Sequence, residues 1–458
     1  MTIPAGGPVT GQGINAETGA ASTAAVTVND PYVRSLGRKL TGAVLGSDFL
    51  GRYGFWIGYS NSIGQQAISV DGSGNVAIGA YINSTYGVEK YYLSTGLVYA
   101  KTYGSEINSF LFATQASDGT TVLTSAIGNE IAGGNLMKTT SDGTVSWVRV
   151  YKGTGSSHSI PAAVIDSTAS NYYFIATPAD AAVDQYTTIV KVNSSGALQW
   201  ERKKTVKQPT SGNVGIARDS SDNIYALSEQ SSPKYVNLMK INSSGSLVWE
   251  RNLSLSGFAV FMPVDQIITV DSSGNIYLVV TGATSGSRTT LVKYNSSGVI
   301  QWQYAITLVP TGLGAAVTCD PSGNVYFIFP YNASPDSYIY ITKLTSSGTV
   351  SWQRILYGSP TISWNLLGGA ANVDAYGNLL LTGSGYIFRF PSSGAGTGSY
   401  VINAVTVTYA ATSLSLVAGA LTDSAGSVGL STASNTFSTT LKNATTRTPT
   451  TSSVALNI

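Results

Sequence analysis

The sequence predicts an all-β protein built around a closed ring of seven four-stranded sheets, and three observations predict it. The first is a unit that recurs seven times between residue 71 and about residue 400. Its first half reads Asp-x-Ser-Gly-Asn and then an apolar run, as at Asp71–Asn75, Asp271–Asn275 and Asp320–Asn324, with Asp374–Asn378 a close variant. Looser copies start at Asp118, Asp166 and Asp219, and successive Asp positions are 47, 48, 53, 52, 49 and 54 residues apart. The second observation is the other half of the unit, Lys-x-x-Ser-Ser-Gly-x-x-x-Trp, as in Lys191–Trp200, Lys240–Trp249, Lys293–Trp302 and Lys343–Trp352. Lys138–Trp147 and Lys90–Tyr99 keep the same offset of nine residues. The third is composition: charged residues are only 10%, and 50 Gly in 458 residues with Ser/Thr/Asn-rich turns suit an all-β protein with many short loops. Four short strands per period of about 50 residues describe one blade of a β-propeller.

Each copy supplies its strands in the order A to D. An alternating run such as Ile267-Ile268-Thr269-Val270 precedes the Asp, and β-branched residues at period two argue for strand A. The run after the Asn, such as Ile276-Tyr277-Leu278-Val279-Val280, is strand B. Asp bonds back to the turn backbone, while Gly and Asn tolerate the positive φ that a tight turn requires. The Lys run is strand C, Ser-Ser-Gly the next turn, and the Trp run strand D. Lys to Trp is invariant, but Asp to Lys or Arg varies from 15 to 25 residues. Length differences therefore fall in the B–C loops. In an up-and-down blade the A–B and C–D turns share one face of the disc, and the B–C and D–A loops share the other.

The in-register aromatics Tyr99, Trp147, Trp200, Trp249, Trp302 and Trp352 are expected to wedge between neighbouring blades, each burying enough ring for about 2–3 kcal/mol. The Ser-Ser-Gly-x-x-x-Trp pattern resembles the tryptophan motif of PQQ-type propellers, and Asp-x-x-Gly-Asn-x-Tyr resembles the repeats of seven-bladed bacterial propellers. Both resemblances are structural, and no constellation for a quinone or any other cofactor stands out. Blade seven lacks an obvious Trp after Arg389-Phe390-Pro391-Ser392-Ser393-Gly394. Its strand D is either Ser399–Ile402 or, from the other end of the chain, Phe55-Trp56-Ile57. The C-terminal choice is slightly favoured because it needs no long-range closure.

This divides the chain into an N-terminal module (1–58), a propeller (59–403) and a C-terminal strand with a Ser/Thr/Ala-rich arm (404–458). Asn29-Asp30-Pro31 followed by Val33, Leu36 and Leu40 reads as a capped short helix. Gly13–Gly19, Val28-Asn29-Asp30 with Val33-Arg34-Ser35-Leu36, and Ser47-Asp48-Phe49-Leu50-Gly51 resemble, in order and spacing, an N-terminal module of tailed-bacteriophage virion proteins. The departures are Val9-Thr10-Gly11-Gln12 at the start and Phe49-Leu50-Gly51-Arg52 at the end. Thr408-Tyr409-Ala410-Ala411-Thr412-Ser413-Leu414 resembles marine phage structural proteins, and Thr445–Ser453 is expected to be an extended arm that orders on a partner. The resemblance implies a non-enzymatic virion protein, decorating tail, fibre or capsid within a multimeric assembly. It would contact other virion proteins through both ends and take a host-surface glycan as a further ligand. Rival readings are an extracellular bacterial binding or scaffold propeller, which a leader peptide would favour, and a glycan-active enzyme, which clustered His, Arg and carboxylates would favour.

Composition narrows the chemistry. A formal charge of +2 gives no electrostatic case for nucleic acid. The first residues, Met-Thr-Ile-Pro-Ala-Gly-Gly, predict no signal peptide, and no run of 18 apolar residues predicts membrane insertion. His158 is the single histidine, so one chain cannot build a His-based metal site or a Ser/His triad. It is expected as exposed decoration in a D–A loop. Cys319, the single cysteine, is expected as an inert thiol on an inner strand. Ser141-Asp142-Gly143 matches a sialidase Asp-box only loosely, and no metal site is predicted. The candidate binding residues are the loop-face aromatics Tyr81, Tyr86, Tyr186, Tyr235, Tyr331, Tyr338 and Trp364, which can stack on sugars or protein partners.

Overall fold

Seven antiparallel sheets surround a common axis. The structure, a computed structural model, describes the strands and most turns between residues 56 and 438. Residues 1–55 and 439–458 lie outside it, as do the loop stretches 60–66, 104–109, 126–133, 153–157, 179–185, 205–213, 255–259, 262–266, 283–288, 307–314, 360–370 and some shorter gaps. The innermost strands are Ala67–Val70, Phe110–Gln115, His158–Ile165, Val214–Arg218, Ile268–Val270, Ala316–Cys319 and Ala371–Val373. Each touches the next, and the last touches the first, so the ring is closed. The core lies between blades: Tyr225, Leu227, Leu238 and Leu253 of blade 4 pack on Ile267, Ile276, Leu278, Val292 and Tyr294 of blade 5.

The Asp turns show why the motif has its composition. Asp271 N–H donates to Asn275 O, Asn275 N–H returns to Asp271 Oδ1 at 2.9 Å, and Asn275 Nδ2 donates to Oδ2 at 2.8 Å. One carboxylate thus holds both the backbone and the side chain of the Asn. Gly274 takes the left-handed conformation at φ +78°. Asn was expected to share that role, but among the described copies its part is this pairing with Asp. The C–D hairpins carry a second regularity. In blades 1 to 6 the register slips by one residue just before the aromatic, as between Lys240↔Trp249 and Ile241↔Leu247. A bulge of this kind, with a fixed turn, gives the invariant offset of nine.

The seventh blade is completed from the N-terminal side. Trp56–Tyr59 is its outermost strand, with Trp56 opposite Arg389. This is the register of Lys240 opposite Trp249, so Trp56 occupies the missing aromatic position. The slight preference for Ser399–Ile402 is overturned, and a strand from the segment assigned to the N-terminal module belongs to the ring. Non-local closure wins because it uses an edge that otherwise has no partner, and it joins the two ends of the repeat.

Gly398–Ile402 instead forms a hairpin with Val405–Ala411, which adds to the outer edge of blade 6. From there the chain runs backwards round the disc as a belt. Leu416–Ala418 pairs with blade 5, Thr422–Ala425 with blade 4, Leu430–Thr432 with blade 3 and Thr436–Ser438 with blade 2. Gln353 grips the belt early, accepting from Leu414 N–H at 2.7 Å and donating to Leu414 O at 3.0 Å. The C-terminal region was expected to be an arm for partners. Between residues 405 and 438 its described strands bind the chain's own blades, and Thr445–Ser453 lies outside the described residues.

Candidate functional site

The motif residues build the seams between blades. In blade 4 Tyr225, Lys240 and Trp249 lie opposite one another on strands B, C and D. The Lys240 ammonium sits 5.2 Å from the Tyr225 ring centroid, and the Tyr and Trp centroids are 6.0 Å apart. Trp249 Nε1 and Lys240 Nζ both donate to Ser296 O in the next blade's turn, at 3.2 and 3.3 Å. Arg251 Nε donates to Gly298 O at 2.6 Å. Gly298 has φ +76°, and a Cβ there would come within 3.0 Å of the Trp249 ring. The Ser-Ser-Gly turn of one blade is therefore seated on the Trp, Lys and Arg of the blade before it.

The same seat recurs around the ring. Trp147, Trp200, Trp302 and Trp352 donate to Ser194, Ser243, Ser346 and Ser392, and Lys138, Lys191, Lys293 and Lys343 share those carbonyls. Trp147 is buried and the other four indoles are half-buried. For Tyr99 the backbone register with Lys90 is described. In blade 7 Arg389 replaces Lys and pairs with Asp374 at 3.0 Å, both almost fully buried. The sequence reading placed the Lys on strand C but gave it no bonding role, and it missed the Arg two residues after Trp, although Trp-x-Arg recurs at 147, 200, 249 and 352.

The proposed loop-face aromatics do not converge on one site. Tyr81 and Tyr86 are direct cross-strand partners at the B–C end of blade 1. Tyr186, in the loop leading into strand C of blade 3, lies under Lys203, whose Nζ is 4.4 Å from the ring centroid. Tyr235 pairs with Gln230 at the B–C end of blade 4, and Trp364 lies outside the described residues. Blade 6 alone gathers them: Tyr331 and Tyr338 are cross-strand partners with ring centroids 6.5 Å apart. Tyr340 lies 6.2 Å from Tyr331, and Tyr357 lies 5.8 Å from Tyr338. All four are half-buried, so they form an aromatic ledge at the loop end of the longest blade. Burial raises the pKa of Tyr340. Strand alternation could have added Tyr340 and Tyr357 to the sequence list. Such a ledge can stack on flat apolar faces, including those of sugar rings.

The opposite face carries a different feature. Leu198, Leu247, Val248, Val299 and Val350, all beside the C–D turns of blades 3 to 6, are among the most exposed large apolar residues.

Titratable groups are drawn into the seams. His158 begins strand A of blade 3, with its backbone opposite Pro178, so it does not sit in the loop before that strand. Cys319 Sγ lies 3.5 Å from Thr269 Oγ1 and 3.4 Å from Val270 O of the neighbouring blade, and burial pushes its thiol up to about 12. That suppresses the thiolate a nucleophile would need. Lys204, at the end of blade 3, is buried and donates to Ser228 Oγ at 2.7 Å. Desolvation lowers it to about 8, with buried Glu250 of blade 4 opposing the shift. Asn237 Nδ2 donates to Glu250, and in the preceding seam Tyr151 donates to Glu201. Among the described residues no three His, Cys, Asp or Glu side chains come together as a metal site.

No family model matches the chain, and no curated protein matches it in sequence. Solved structures do. One is a catalytically inactive histidine-to-alanine variant of virginiamycin B lyase from Staphylococcus aureus with quinupristin, at a TM-score of 0.50 and 14% identity, covering 73% of this chain and 98% of that one. Another is a gluconolactonase from Xanthomonas campestris, at a TM-score of 0.37 and 12% identity, covering 59% of this chain and 84% of that one. The first of these likenesses establishes the fold, a seven-bladed propeller, and at such identity it carries nothing further. The second is too remote to carry an argument.

Proposed function

We propose that this chain is a non-enzymatic structural protein of a tailed-bacteriophage particle, attached through its N-terminal residues and presenting the propeller for binding. The observation that carries the reading is the use of both chain ends to lock the disc, one closing blade 7 and the other lacing blades 6 to 2. This gives a rigid scaffold suited to an external component of an assembly. The phage-like motif at residues 13–51 lies immediately before the closing strand, where it can tether the disc without disturbing it. The Tyr331–Tyr338–Tyr357 ledge is the surface we assign to binding, with a partner protein or a host-surface glycan as its ligand. The chemistry of the described groups supports binding without turnover, since the lysines and arginines of the repeat are spent on carbonyls between blades. The test is particle incorporation. A chain lacking residues 1–52 keeps Trp56–Tyr59 and the belt, and should fold yet be missing from purified particles by mass spectrometry. Incorporation at the full-length level would overturn the attachment role, and depolymerisation of surface polysaccharide by the pure protein would overturn the non-enzymatic one.

A further inference from the structure

The aromatic ledge of blade 6 is the outer end of a stack that starts in the core. Phe327 and Phe329 are fully buried, with ring centroids 5.5 Å apart. Phe329 stacks on Tyr340 at 5.2 Å with an interplanar angle of 10°. Tyr331, Tyr338 and Tyr357 follow in turn, at centroid distances of 6.2, 6.5 and 5.8 Å. All four tyrosines are half-buried, so each packs on the ring behind it and keeps part of its surface at the solvent. Rings held in this way lose little conformational freedom when a ligand covers them.

Strand register carries the ledge beyond the tyrosines. Tyr331, Tyr338 and Tyr357 are successive cross-strand partners, and the same row continues through Thr408 to Ser399 on the C-terminal hairpin. Direct partners share one face of a sheet, and at about 4.8 Å per strand the row is about 19 Å long. Thr408 is half-buried and Ser399 exposed, with their hydroxyl oxygens 2.9 Å apart. That bond uses one hydroxyl hydrogen and leaves the other, with oxygen lone pairs, for a ligand. No side chain of the row is charged at neutral pH. Lys343 and Arg354 of the same strands turn to the opposite face, where they donate to Ser392 O and Gly394 O of blade 7.

We propose that this row is a subsite for a neutral glycan, with pyranose rings stacked on Tyr331, Tyr338 and Tyr357 and sugar hydroxyls bonded to Thr408 and Ser399. The inference rests on the assignment of the ledge to binding and narrows its ligand to an uncharged chain of hexopyranoses. A protein partner draws its affinity from a broad patch with a desolvated aromatic and Arg centre. A single uncharged row, rings at one end and hydroxyls at the other, matches a sugar instead, whose ring has apolar C–H faces and a polar edge.

Saturation-transfer NMR and calorimetry on the full-length chain, with maltohexaose, cellohexaose and mannohexaose as probes, test the proposal. At least one should bind, with saturation strongest at its C–H protons. Tyr357→Ala should weaken that binding about tenfold, whereas Tyr357→Phe, which keeps the ring, should leave it within about twofold. Thr408→Val keeps the strand and the side-chain shape and should cost about three- to tenfold, so the test stands even where Tyr357→Ala unfolds. Failure of all three sugars to bind would overturn the glycan. If a purified virion protein then bound the wild type but not Tyr357→Ala, the ledge would keep its binding role. Sugar bound equally by the wild type, Tyr357→Ala and Thr408→Val would overturn both the subsite and the assignment of the ledge.

Discussion

At the residue scale, the seams concentrate the energy. Trp249 contributes ring packing, a hydrogen bond to Ser296 and the surface on which Gly298 rests. Trp249→Ala should cost about 2–4 kcal/mol in urea unfolding, a little below a fully buried indole because this one is half-buried. A gain is available in blade 3, where Ala169 holds a φ of 57° at the tip of the Asp turn. Ala169→Gly should stabilise by about 1 kcal/mol, read from the same transitions, since glycine adopts that conformation without Cβ strain. Lys204 makes stability depend on alkaline pH. Burial lowers its pKa to about 8 from 10.5, so between those values the unfolded chain keeps a proton that the folded chain has shed. Stability should therefore rise as pH climbs from about 8 towards 10, by at most about 3 kcal/mol. Tyr225, Tyr277 and Tyr326, all raised by burial, act in the opposite sense above pH 10, where the unfolded chain ionises first. Buried Cys319, whose thiol is raised to about 12, opposes the lysine from about pH 9 upwards. The lysine is therefore read by difference: urea unfolding at pH 8.0 and 9.5 should show a smaller gain in Lys204→Met than in the wild type.

At the scale of the element, blades and belt differ in what stabilises them. In a blade strand such as Ile276–Gly282, residues Ile276 to Val280 are apolar and buried on both faces, so its own residues declare it. The belt strands Thr422–Ala425 and Leu430–Thr432 are three or four residues long and rich in Ser and Thr. Their order comes from bare edges on strands that are already formed, and for that reason no periodicity announced them. Ser424→Pro removes a backbone donor opposite Asn252. The expected outcome is faster amide exchange along residues 251–254 with little change in blade 6, followed by mass spectrometry. Equal effects on all blades would mean that the belt acts as one cooperative unit.

For the molecule as a whole, the ring was legible because its signal is internal: seven Asp turns, six Lys-to-aromatic offsets and a Ser-Ser-Gly that recurs in blades 3 to 7. The closure was not, since Trp56 and Arg389 are separated by nearly the entire repeat and only the register unites them. The aromatic ledge was legible in part. Tyr331 and Tyr338 announce themselves through their number and loop position, whereas Tyr357 joins them only through the pairing of strands C and D. Closure at such separation also slows folding, because the loop entropy is lost before the contact forms. A chain starting at residue 61 lacks the closing strand and should refold faster than the full chain in stopped-flow fluorescence, yet unfold at lower urea. Slower refolding would show that the N-terminal strand belongs to the nucleus.

The belt also decides how the disc answers a pull. Each belt strand is joined to its blade by only a few backbone bonds, and the strands follow one another in series along the chain. Tension applied beyond Ser438 would meet blade 2 first, then blades 3, 4, 5 and 6, and would reach the closed ring only after the last of these had let go. The C-terminal end therefore works as a row of mechanical fuses, each breaking and re-forming while the sheets beneath it stay whole. A disc built in this way can give under shear by several strand lengths and recover its shape once the load is removed.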